Sequence, residues 1–157
     1  MAKLILLCGF IGSGKTTYAK KLAEQVPAFR FTMDEWMIPL FGEHMGREVF
    51  DHRVATLTRL FQQSAVDLIK LGNSVVLDSG LWRRIDREQM MQWAESLAID
   101  YEIHYLNVSF ARCCERAYLR NGDCDQHAYK MTPEMMTQFW QKFEVPTEDE
   151  LVKWVGD

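Results

Sequence analysis

The sequence lacks any apolar run that approaches the roughly 20 residues needed to span a bilayer. Residues 1–8 also lack the length and the cleavage signal of an export sequence. There is no internal repeat, no low-complexity tract and no linker within the 157 residues. These absences argue against a membrane, secreted or multidomain protein, so we expect one domain over residues 1–157, located in the cytoplasm.

Cysteine is scarce and basic charge is in deficit. None of the four cysteines pairs with another at the spacing of metal ligands or of a redox Cys-x-x-Cys motif, which favours free thiols over a zinc site. Lys and Arg number 18 against 22 for Asp and Glu, so the net charge is −4. Such a chain offers no broad basic surface to a phosphodiester backbone. A small-molecule partner is therefore favoured over nucleic acid, which is not excluded.

The most informative stretch that is present runs from residue 9 to residue 16 and is called the glycine loop below. It reads GFIGSGKT and fits Gly-x-x-x-x-Gly-Lys-[Ser/Thr] at every fixed position. The apolar run KLILLC precedes it, as a buried strand would, and TYAKKLAEQ follows with apolar residues at helical spacing. The order strand, glycine loop, helix predicts a phosphate-binding site.

The residue types of the glycine loop explain how it would hold a polyphosphate. Glycines allow positive dihedrals that turn backbone N–H groups inward, and the helix start adds unpaired N–H groups and a positive dipole end. Lys15 can reach the β- and γ-phosphates, and Thr16 Oγ can complete the octahedral shell of Mg²⁺. We therefore expect ATP and Mg²⁺ as cofactors. The predicted nucleotide-binding residues are Gly9, Phe10, Ile11, Gly12, Ser13, Gly14, Lys15, Thr16 and Thr17.

Apolar periodicity divides the chain into alternating strands and helices. Strands are predicted at Lys3–Cys8, Ala28–Thr32, Ser74–Leu77 and Tyr101–Val108. Helices are predicted at Thr17–Gln25, Asp51–Leu71 and Ile85–Leu97, from the Ser109 cap to Asn121, from Thr132 to Phe143, and in a last short segment that opens on the capping-box pattern Thr147–Glu150. The segments Glu35–Glu48 and Gly122–Lys130 are predicted as loops.

This alternation predicts an α/β fold with a parallel sheet and right-handed crossovers. We expect the three-layer fold of P-loop nucleotide-binding proteins, with a short sheet of four to five strands and a helical lid. Ligands of such sheets bind at the carboxyl ends of the strands. That rule brings the glycine loop, Asp34 with its neighbours, and residues 78–84 into one pocket.

Two carboxylates follow predicted strands at that edge. Asp34 would face the γ-phosphate from the acceptor side and could take the proton of an attacking hydroxyl, or it could cap the next turn. Glu35 is a weaker candidate for the same task. Asp78 ends the run VVLD and could orient Mg²⁺ together with Thr16 or bind a substrate hydroxyl, or it could cap the turn that follows.

Three arginines spaced by four residues, Arg112, Arg116 and Arg120, share one face of a predicted helix. Positive charge there can close over ATP and offset the charge that develops as the phosphoryl group leaves. Arg116 and Arg120 lie nearest the loop predicted as a lid, so we predict these two as catalytic. The alternative is an ordinary solvated basic face.

The acceptor pocket is predicted from side chains that follow the strand ends. Its predicted substrate-binding residues are Asp34, Trp36, Asp78, Trp82 and Arg83, with Phe41 and Arg84 as further members. Plain packing is the alternative for the aromatic residues.

These motifs resemble those of small P-loop kinases of the AAA_33 or zeta-toxin-like group, which is related to polynucleotide 5′-kinases, chloramphenicol phosphotransferase and gluconokinase-type enzymes. The resemblance covers nearly the whole chain. It is carried by GFIGSGKTT, FTMDEWMIPLFG, VVLDSGLWRRIDRE, CCERAYLRNG and QKFEVPTEDE. The last segment is similar to a Phe-Glu-x-Pro ending found in a branch labelled simply ATP-binding protein.

The resemblance implies Lys15 and Thr16 on ATP and Mg²⁺, Asp34 as the counterpart of the polynucleotide-kinase general base, and Asp78 as the acceptor-side carboxylate. It also implies Arg120, together with Arg116, as the lid arginine. The sequence departs from polynucleotide kinases in two places. Met37 stands near the position of an arginine that follows the base, and Ser79–Gly80 replaces a Thr-Asn pair.

We therefore expect an ATP- and Mg²⁺-dependent kinase that phosphorylates a hydroxyl of a small molecule. Two alternatives stay open. One is a polynucleotide or RNA 5′-end kinase. The other is a nucleotide-binding switch or toxin-like regulator that acts through a protein partner, for which the tail Val145–Asp157 would be an exposed contact surface. The acceptor, the oligomeric state and the choice between ATP and GTP are not fixed by these patterns.

Overall fold

Strands and helices alternate through the described chain, except that two helices follow the second strand and two follow the fourth. The computed structural model describes residues 1–122 and 129–156. The strands are β1 Leu4–Cys8, β2 Ala28–Thr32, β3 Ser74–Gly80, β4 Tyr101–Leu106 and β5 Lys153–Val155. The helices are α1 Lys15–Gln25, α2 Met33–Phe41, α3 Arg47–Lys70, α4 Arg84–Ser96, α5 Phe110–Asn121 and α6 Pro133–Lys142.

The strands form a five-stranded sheet in the order β2-β3-β1-β4-β5, and every pairing is parallel. The central strand β1 is buried along its full length, which explains why its sequence is an unbroken apolar run. Leu6 of β1 pairs with Leu77 of β3 on one side and with Ile103 of β4 on the other. The predicted α/β fold with its parallel sheet is therefore confirmed.

Helices cover both faces of this sheet. Successive residues of β1 point to opposite faces, as the pleat of a strand requires. Leu4 and Leu6 belong to the larger apolar cluster, whereas Ile5 and Leu7 pack with Ala19 of α1 in the smaller one. Each such fully buried leucine or isoleucine stabilises the fold by roughly 1.5–3 kcal/mol. This packing fixes the end of β1, and with it the start of the glycine loop.

The predicted loop at Glu35–Glu48 is wrong in its first half, because α2 spans Met33–Phe41. The methionines Met33 and Met37, one turn apart, are both buried and hold the helix on the core. Pro39 removes one backbone donor near the helix end, and α2 stops shortly after it with Gly42 N–H donating to the carbonyl of Ile38 at 2.8 Å. Loop-like composition therefore concealed a helix that tertiary contacts stabilise.

The predicted helix after Thr147 is also wrong. The capping contact itself forms, since Thr147 N–H donates to Glu150 Oε2 at 2.8 Å, but the segment is a turn that leads into β5. Tyr105 and Trp154 are register partners between β4 and β5. The unpaired edge of β4 gives the last residues more backbone hydrogen bonding than a short isolated helix would.

The prediction of a polar loop at 122–130 falls mainly on residues 123–128, which lie outside the described residues. The predicted cap at Ser109 is confirmed by a hydrogen bond of 3.2 Å from Arg112 N–H. Thr132, predicted as the start of a helix, caps α6 by accepting from Met135 N–H at 3.2 Å. In residues 1–122 and 129–156, no helix is both long enough and apolar enough to span a bilayer.

Candidate active site

The glycine loop joins β1 to α1 and adopts a conformation that only glycine fits at two of its positions. Gly12 and Gly14 have φ values of 78° and 90°. A Cβ on Gly12 would lie 2.2 Å from the carbonyl oxygen of Cys113 in α5, and a Cβ on Gly9 would lie 2.8 Å from Ser13 Oγ. The glycines therefore let the loop pack against α5 and fold back on itself.

Helix α1 begins directly from this loop. Its cap residue, Gly14, has no side chain to satisfy the first N–H groups, and the first turn holds no acidic residue. By contrast, the first turn of α2 contains Asp34 and Glu35. The amino end of α1 therefore keeps its positive potential for an anion.

Asp78 of β3 lies at the centre of the site and is buried, with its side chain only 1% exposed. Thr16 Oγ1 donates to Asp78 Oδ2 at 2.9 Å, and Lys15 Nζ lies 3.7 Å from Asp78 Oδ1. Gly9 N–H donates to the carbonyl of Gly80 at 3.0 Å and so ties the glycine loop to the end of β3. Two side chains of the glycine loop, Lys15 and Thr16, thus contact Asp78, which the sequence predicted in the same pocket.

Asp34 lies in the first turn of α2 and is partly buried. Burial raises the pKa of Asp34 above that of an ordinary aspartate; Lys15 opposes this rise more strongly than Arg120 does, whereas Asp78 adds to it. These charges act on one another because they face the same pocket. The residues predicted to surround the γ-phosphate are therefore brought together.

Glu35, the weaker candidate for the same task, is engaged elsewhere. Arg30 Nη1 donates to its carboxylate at 2.7 Å, and Lys20 Nζ lies 3.7 Å away. Its partners thus come from β2 and α1, and its role in the structure is to connect these elements to α2.

The three arginines of α5 differ in their surroundings. Arg116 Nη1 donates to the carbonyl of Ser13 at 3.1 Å and so contacts the glycine loop. Arg120 lies close enough to Asp34 to lower its pKa. Arg112 has an exposed side chain that lies 3.8 Å from the carboxylate of Glu115. The helix thus directs Arg116 and Arg120 toward the pocket, and the structure gives Arg112 a surface contact instead.

Four buried polar atoms have no hydrogen-bond partner in the part of the chain that the structure describes. They are Ser13 Oγ, Asp78 Oδ1, Arg120 Nε and Tyr129 Oη. Leaving such a group unsatisfied costs about 1–3 kcal/mol. Asp34 lies near one of these atoms. The pKa of Tyr129 is raised to about 12, mainly by burial of Tyr129 and next by the charge of Asp34. Such a concentration of unsatisfied donors and acceptors is what a site for a polar ligand requires.

Trp36 and Trp82, predicted to contact the substrate, have aromatic neighbours. The Trp82 ring lies 5.4 Å from that of Phe10, and the Trp36 ring lies 5.2 Å from that of Phe61. Arg83 is exposed and pairs with Asp86 at 2.8 Å in the capping box of α4. Packing and capping account for these contacts, and a contact with the substrate stays a prediction.

Of the further members of that set, Phe41 lies under the guanidinium of Arg53, 4.2 Å from ring centroid to Cζ, and Arg84 pairs with Asp149 at 2.7 Å. Neither contact belongs to the glycine loop or to the carboxylates beside it.

Sequence reasoning missed a buried ion pair behind the site. Arg87 of α4 and Glu150 have side chains that are 1% and 3% exposed, and their two hydrogen bonds measure 2.7 and 3.1 Å. Arg87 also donates to the carbonyls of Leu81 and Trp82 at 3.0 and 3.2 Å. The partners are 63 residues apart, so no local pattern could have indicated the pair.

Most described residues of the tail Val145–Asp157 are exposed, as expected, but the ion pair anchors Glu150 in the core. Pro146 and Glu150 are buried, and β5 is part of the sheet. Leu151 and Trp154 are exposed. Asp157 lies outside the described residues.

A second polar network lies on the opposite face of β4. His104 is buried, with Nδ1 2.6 Å from the hydroxyl of Tyr18 and Nε2 2.7 Å from a carboxylate oxygen of Glu102. Lys3 Nζ pairs with the same carboxylate at 2.9 Å. Hydrogen bonds from His104 and Lys3 lower the pKa of Glu102 to about 2. The network connects α1 to the sheet.

The cysteines Cys8, Cys113 and Cys114 are not joined in disulfides, and Cys124 lies outside the described residues. Across residues 1–122 and 129–156, no group of three or more His, Cys, Asp or Glu side chains could hold a metal ion. A site for Mg²⁺ needs fewer protein ligands, because this ion keeps several waters and shares substrate phosphates. Thr16 and the Asp78 oxygen that accepts no hydrogen bond from the described residues fit that requirement.

A five-stranded parallel sheet with the glycine loop after its central strand is the fold of P-loop kinases. A gluconokinase from Sinorhizobium meliloti 1021 has this fold with a TM-score of 0.68 and 18% sequence identity, over 98% of this chain and 82% of that one. The APS kinase CysC of Mycobacterium tuberculosis, solved with AMPPNP and APS, has a TM-score of 0.67 and 17% identity over 99% and 88% of the two chains. Kti12 of Chaetomium thermophilum, solved with ADP-AlF3, has a TM-score of 0.69 and 16% identity over 98% and 88%.

Identities this low establish a shared fold. Among curated protein sequences, none matches this chain significantly. The profile of the AAA_33 family, described as an AAA domain, matches residues 4–146. The chain therefore belongs to the AAA_33 family, as its motifs predicted.

Proposed function

We propose that the protein is a phosphotransferase that moves the γ-phosphoryl group of ATP to a hydroxyl of a small-molecule acceptor, with Mg²⁺. The observation that carries this proposal is the convergence of Lys15, Thr16 and Asp78 at 2.9–3.7 Å, with Asp34 and Arg120 facing the same pocket. Relatives in fold that are named gluconokinase and APS kinase, the latter solved with AMPPNP, support the choice of ATP.

The glycine loop would bind the phosphates through its N–H groups, with Lys15 as the mobile charge. In the structure Lys15 Nζ lies 3.7 Å from Asp78 Oδ1, a distance longer than a direct hydrogen bond. This loose pairing keeps the ammonium in the pocket and leaves its protons available to the β- and γ-phosphates. Arg116 is held against the loop by the carbonyl of Ser13.

Thr16 and Asp78 are the residues that would hold Mg²⁺. Asp78 Oδ2 already accepts the Thr16 proton, and Asp78 Oδ1 is buried and accepts no hydrogen bond from the described residues. When bound, Mg²⁺ neutralises charge on the phosphates as the phosphoryl group is transferred. No carboxylate other than Asp78 is required from the protein, which agrees with the ion's preference for few protein ligands.

Asp34 would act as the general base. Burial raises its pKa, and a raised pKa makes its carboxylate a better proton acceptor than an exposed aspartate. The acceptor's hydroxyl proton would pass to Asp34 as the oxygen forms its bond to the γ-phosphorus, while the bond from that phosphorus to the β–γ bridging oxygen breaks and ADP leaves. Arg120, which lies close enough to Asp34 to lower its pKa, would offset the negative charge of the transferred group.

Incubation with γ-labelled ATP and a metabolite extract tests this proposal. We expect a labelled product with the wild type that is absent with Lys15→Ala and strongly reduced with Asp34→Asn. Lys21→Ala and Asp67→Asn, which change exposed residues of α1 and α3, should retain wild-type labelling. Labelling that survives Lys15→Ala would refute the nucleotide site, whereas full labelling with Asp34→Asn would refute the base assignment.

The same assay separates the alternatives. An oligonucleotide with a free 5′-hydroxyl, added in place of the extract, should stay unlabelled if the acceptor is small. Kti12, solved with ADP-AlF3, shares the fold under a name that is not that of a kinase. A nucleotide-binding switch would bind ATP, and would lose that binding with Lys15→Ala, but it would transfer label to no component of the extract.

A further inference from the structure

A chain of side-chain contacts leads from Asp78 away from the glycine loop. Thr32 Oγ1 donates to Asp78 Oδ2 at 3.1 Å, and Arg30 Nη1 donates to Thr32 Oγ1 at 2.5 Å. The same Arg30 nitrogen donates to Glu35 Oε2 at 2.7 Å. Thr32 and Asp78 are register partners on the neighbouring strands β2 and β3, so the sheet itself places them side by side. The proposed transfer reaction makes no use of Thr32 or Arg30.

The direction of these hydrogen bonds follows from the donors available. A guanidinium can only donate, and a threonine hydroxyl has a single proton. Because Arg30 supplies the proton in the first contact, Thr32 must direct its own proton to Asp78. Asp78 Oδ2 then accepts from both Thr16 and Thr32, and Oδ1 is left without a hydrogen bond among the described residues, although Lys15 Nζ lies 3.7 Å away.

This arrangement distinguishes the two oxygens of Asp78. Thr32 holds Oδ2 on the β2 side, so that Oδ1 faces Lys15 Nζ at 3.7 Å. Thr32 and Asp78 are each 4% exposed, so water cannot readily replace the hydroxyl if it is removed. Without it, the carboxylate would lose one of the two contacts that fix its orientation.

At its other end this series of side-chain contacts reaches α2. Glu35, which accepts from Arg30, directly follows Asp34 in the first turn of that helix. Lys20 of α1 lies 3.7 Å from the same carboxylate. The contacts thus link the carboxylate beside the glycine loop to the helix turn that carries the proposed base.

We propose that Thr32, oriented by Arg30, is a positioning residue that fixes the carboxylate of Asp78 for the Mg²⁺ of the bound nucleotide. The inference rests on the proposed function, since it concerns the metal that accompanies ATP. Outer-sphere partners of metal ligands contribute about 10- to 100-fold in metal affinity in other proteins, and Thr32 occupies such a place.

The test is the ratio of ATP dissociation constants measured by calorimetry in EDTA and in saturating Mg²⁺. We expect the wild type to bind more tightly with Mg²⁺. Thr32→Val removes the donor but keeps the shape, and it should reduce this ratio about 10- to 100-fold while ATP affinity in EDTA stays unchanged. Thr32→Ser restores the donor and should restore the ratio.

Thr137→Val serves as the matched control, because this exposed threonine of α6 donates only to the carbonyl of Pro133, at 3.1 Å. Unchanged affinity in EDTA also shows that Thr32→Val is folded. A purely structural role would lower the thermal midpoint or the affinity in EDTA and leave the ratio intact, which would overturn the inference. The inference would also be overturned if Thr32→Ser and Thr32→Val lowered the ratio of dissociation constants equally.

The two proposals fail in different ways. A wild type that binds no ATP under either condition refutes the proposed function and this inference with it. A wild type that binds ATP equally well in EDTA and Mg²⁺ refutes the metal-positioning role and leaves the nucleotide site standing.

Discussion

Replacement of Gly12 by alanine tests the fit between the glycine loop and α5. Two costs follow from the structure. The φ of 78° places an alanine in the left-handed region, which costs roughly 1–2 kcal/mol. The new Cβ would also lie 2.2 Å from the carbonyl oxygen of Cys113, so either the loop or α5 must shift, and overpacking of this kind costs about 1–3 kcal/mol.

Matched glycines separate these two costs. Gly72, just after α3, has a φ of 89°, but a Cβ there meets nothing within 4 Å. Gly46 has neither a positive φ nor a neighbour within 4 Å of a Cβ. We expect Gly46→Ala to be close to the wild type, Gly72→Ala to lose about 1–2 kcal/mol and Gly12→Ala about 2–5 kcal/mol in free energy of unfolding.

Urea unfolding followed by circular dichroism measures these differences. A chain of this size shifts its thermal midpoint by about 2–4 °C per kcal/mol, so thermal scans should rank the variants in the same order. Gly12→Ala should also bind ATP more weakly, whereas Gly72→Ala should not. The reasoning is refuted if Gly12→Ala unfolds no more easily than Gly72→Ala, because the clash with α5 would then contribute nothing.

Three further predictions concern the buried charges and thiols. Glu150→Ala leaves the charge of Arg87 buried without its carboxylate partner and should cost about 3–5 kcal/mol in urea unfolding. Asp149→Ala, at an exposed pair, should leave the urea midpoint nearly unchanged, and equal midpoints of the two variants would contradict the prediction. Because burial raises the pKa of Asp34, the transfer rate should rise with pH around a midpoint above that of an ordinary aspartate. The stability that protonated Asp34 contributes is complete below the unfolded-state pKa and declines as pH rises through the folded pKa, and Asp34→Asn should remove both dependences on pH. Burial raises the pKa of Cys8 to about 11, so Cys8→Ala should leave the number of thiols titrated by a disulfide reagent in the native protein unchanged, and a loss of one reactive thiol would count against it.

The parts of the fold that the sequence predicted are those fixed by local patterns. The run KLILLC, the glycine loop and the helical spacing after it indicate β1 and α1 without reference to the rest of the chain. Asp34 and Asp78 could be placed near the loop because the carboxyl ends of parallel strands meet at one edge. The same rule cannot say whether a side chain at that edge faces the ligand or the core, as Trp82 illustrates by packing on Phe10.

The parts that were missed depend on contacts between distant residues. The helix α2 is stabilised by burial of Met33 and Met37, and its composition resembles that of a loop. The strand β5 forms because β4 offers an edge, and a capping-box pattern at Thr147 gave no indication of this. Hydrogen-bond direction at Thr32 likewise requires coordinates, because only the register of β2 and β3 brings it beside Asp78.

The central claim is that the glycine loop binds the triphosphate of ATP through its backbone and Lys15. Calorimetric titration of the folded protein with ATP in the presence of Mg²⁺ tests it most directly, with Lys15→Ala and the exposed-site control Lys21→Ala alongside. The account predicts one ATP bound per chain by the wild type and by Lys21→Ala, and a large loss of affinity with Lys15→Ala. Absence of ATP binding by folded wild-type protein would contradict it.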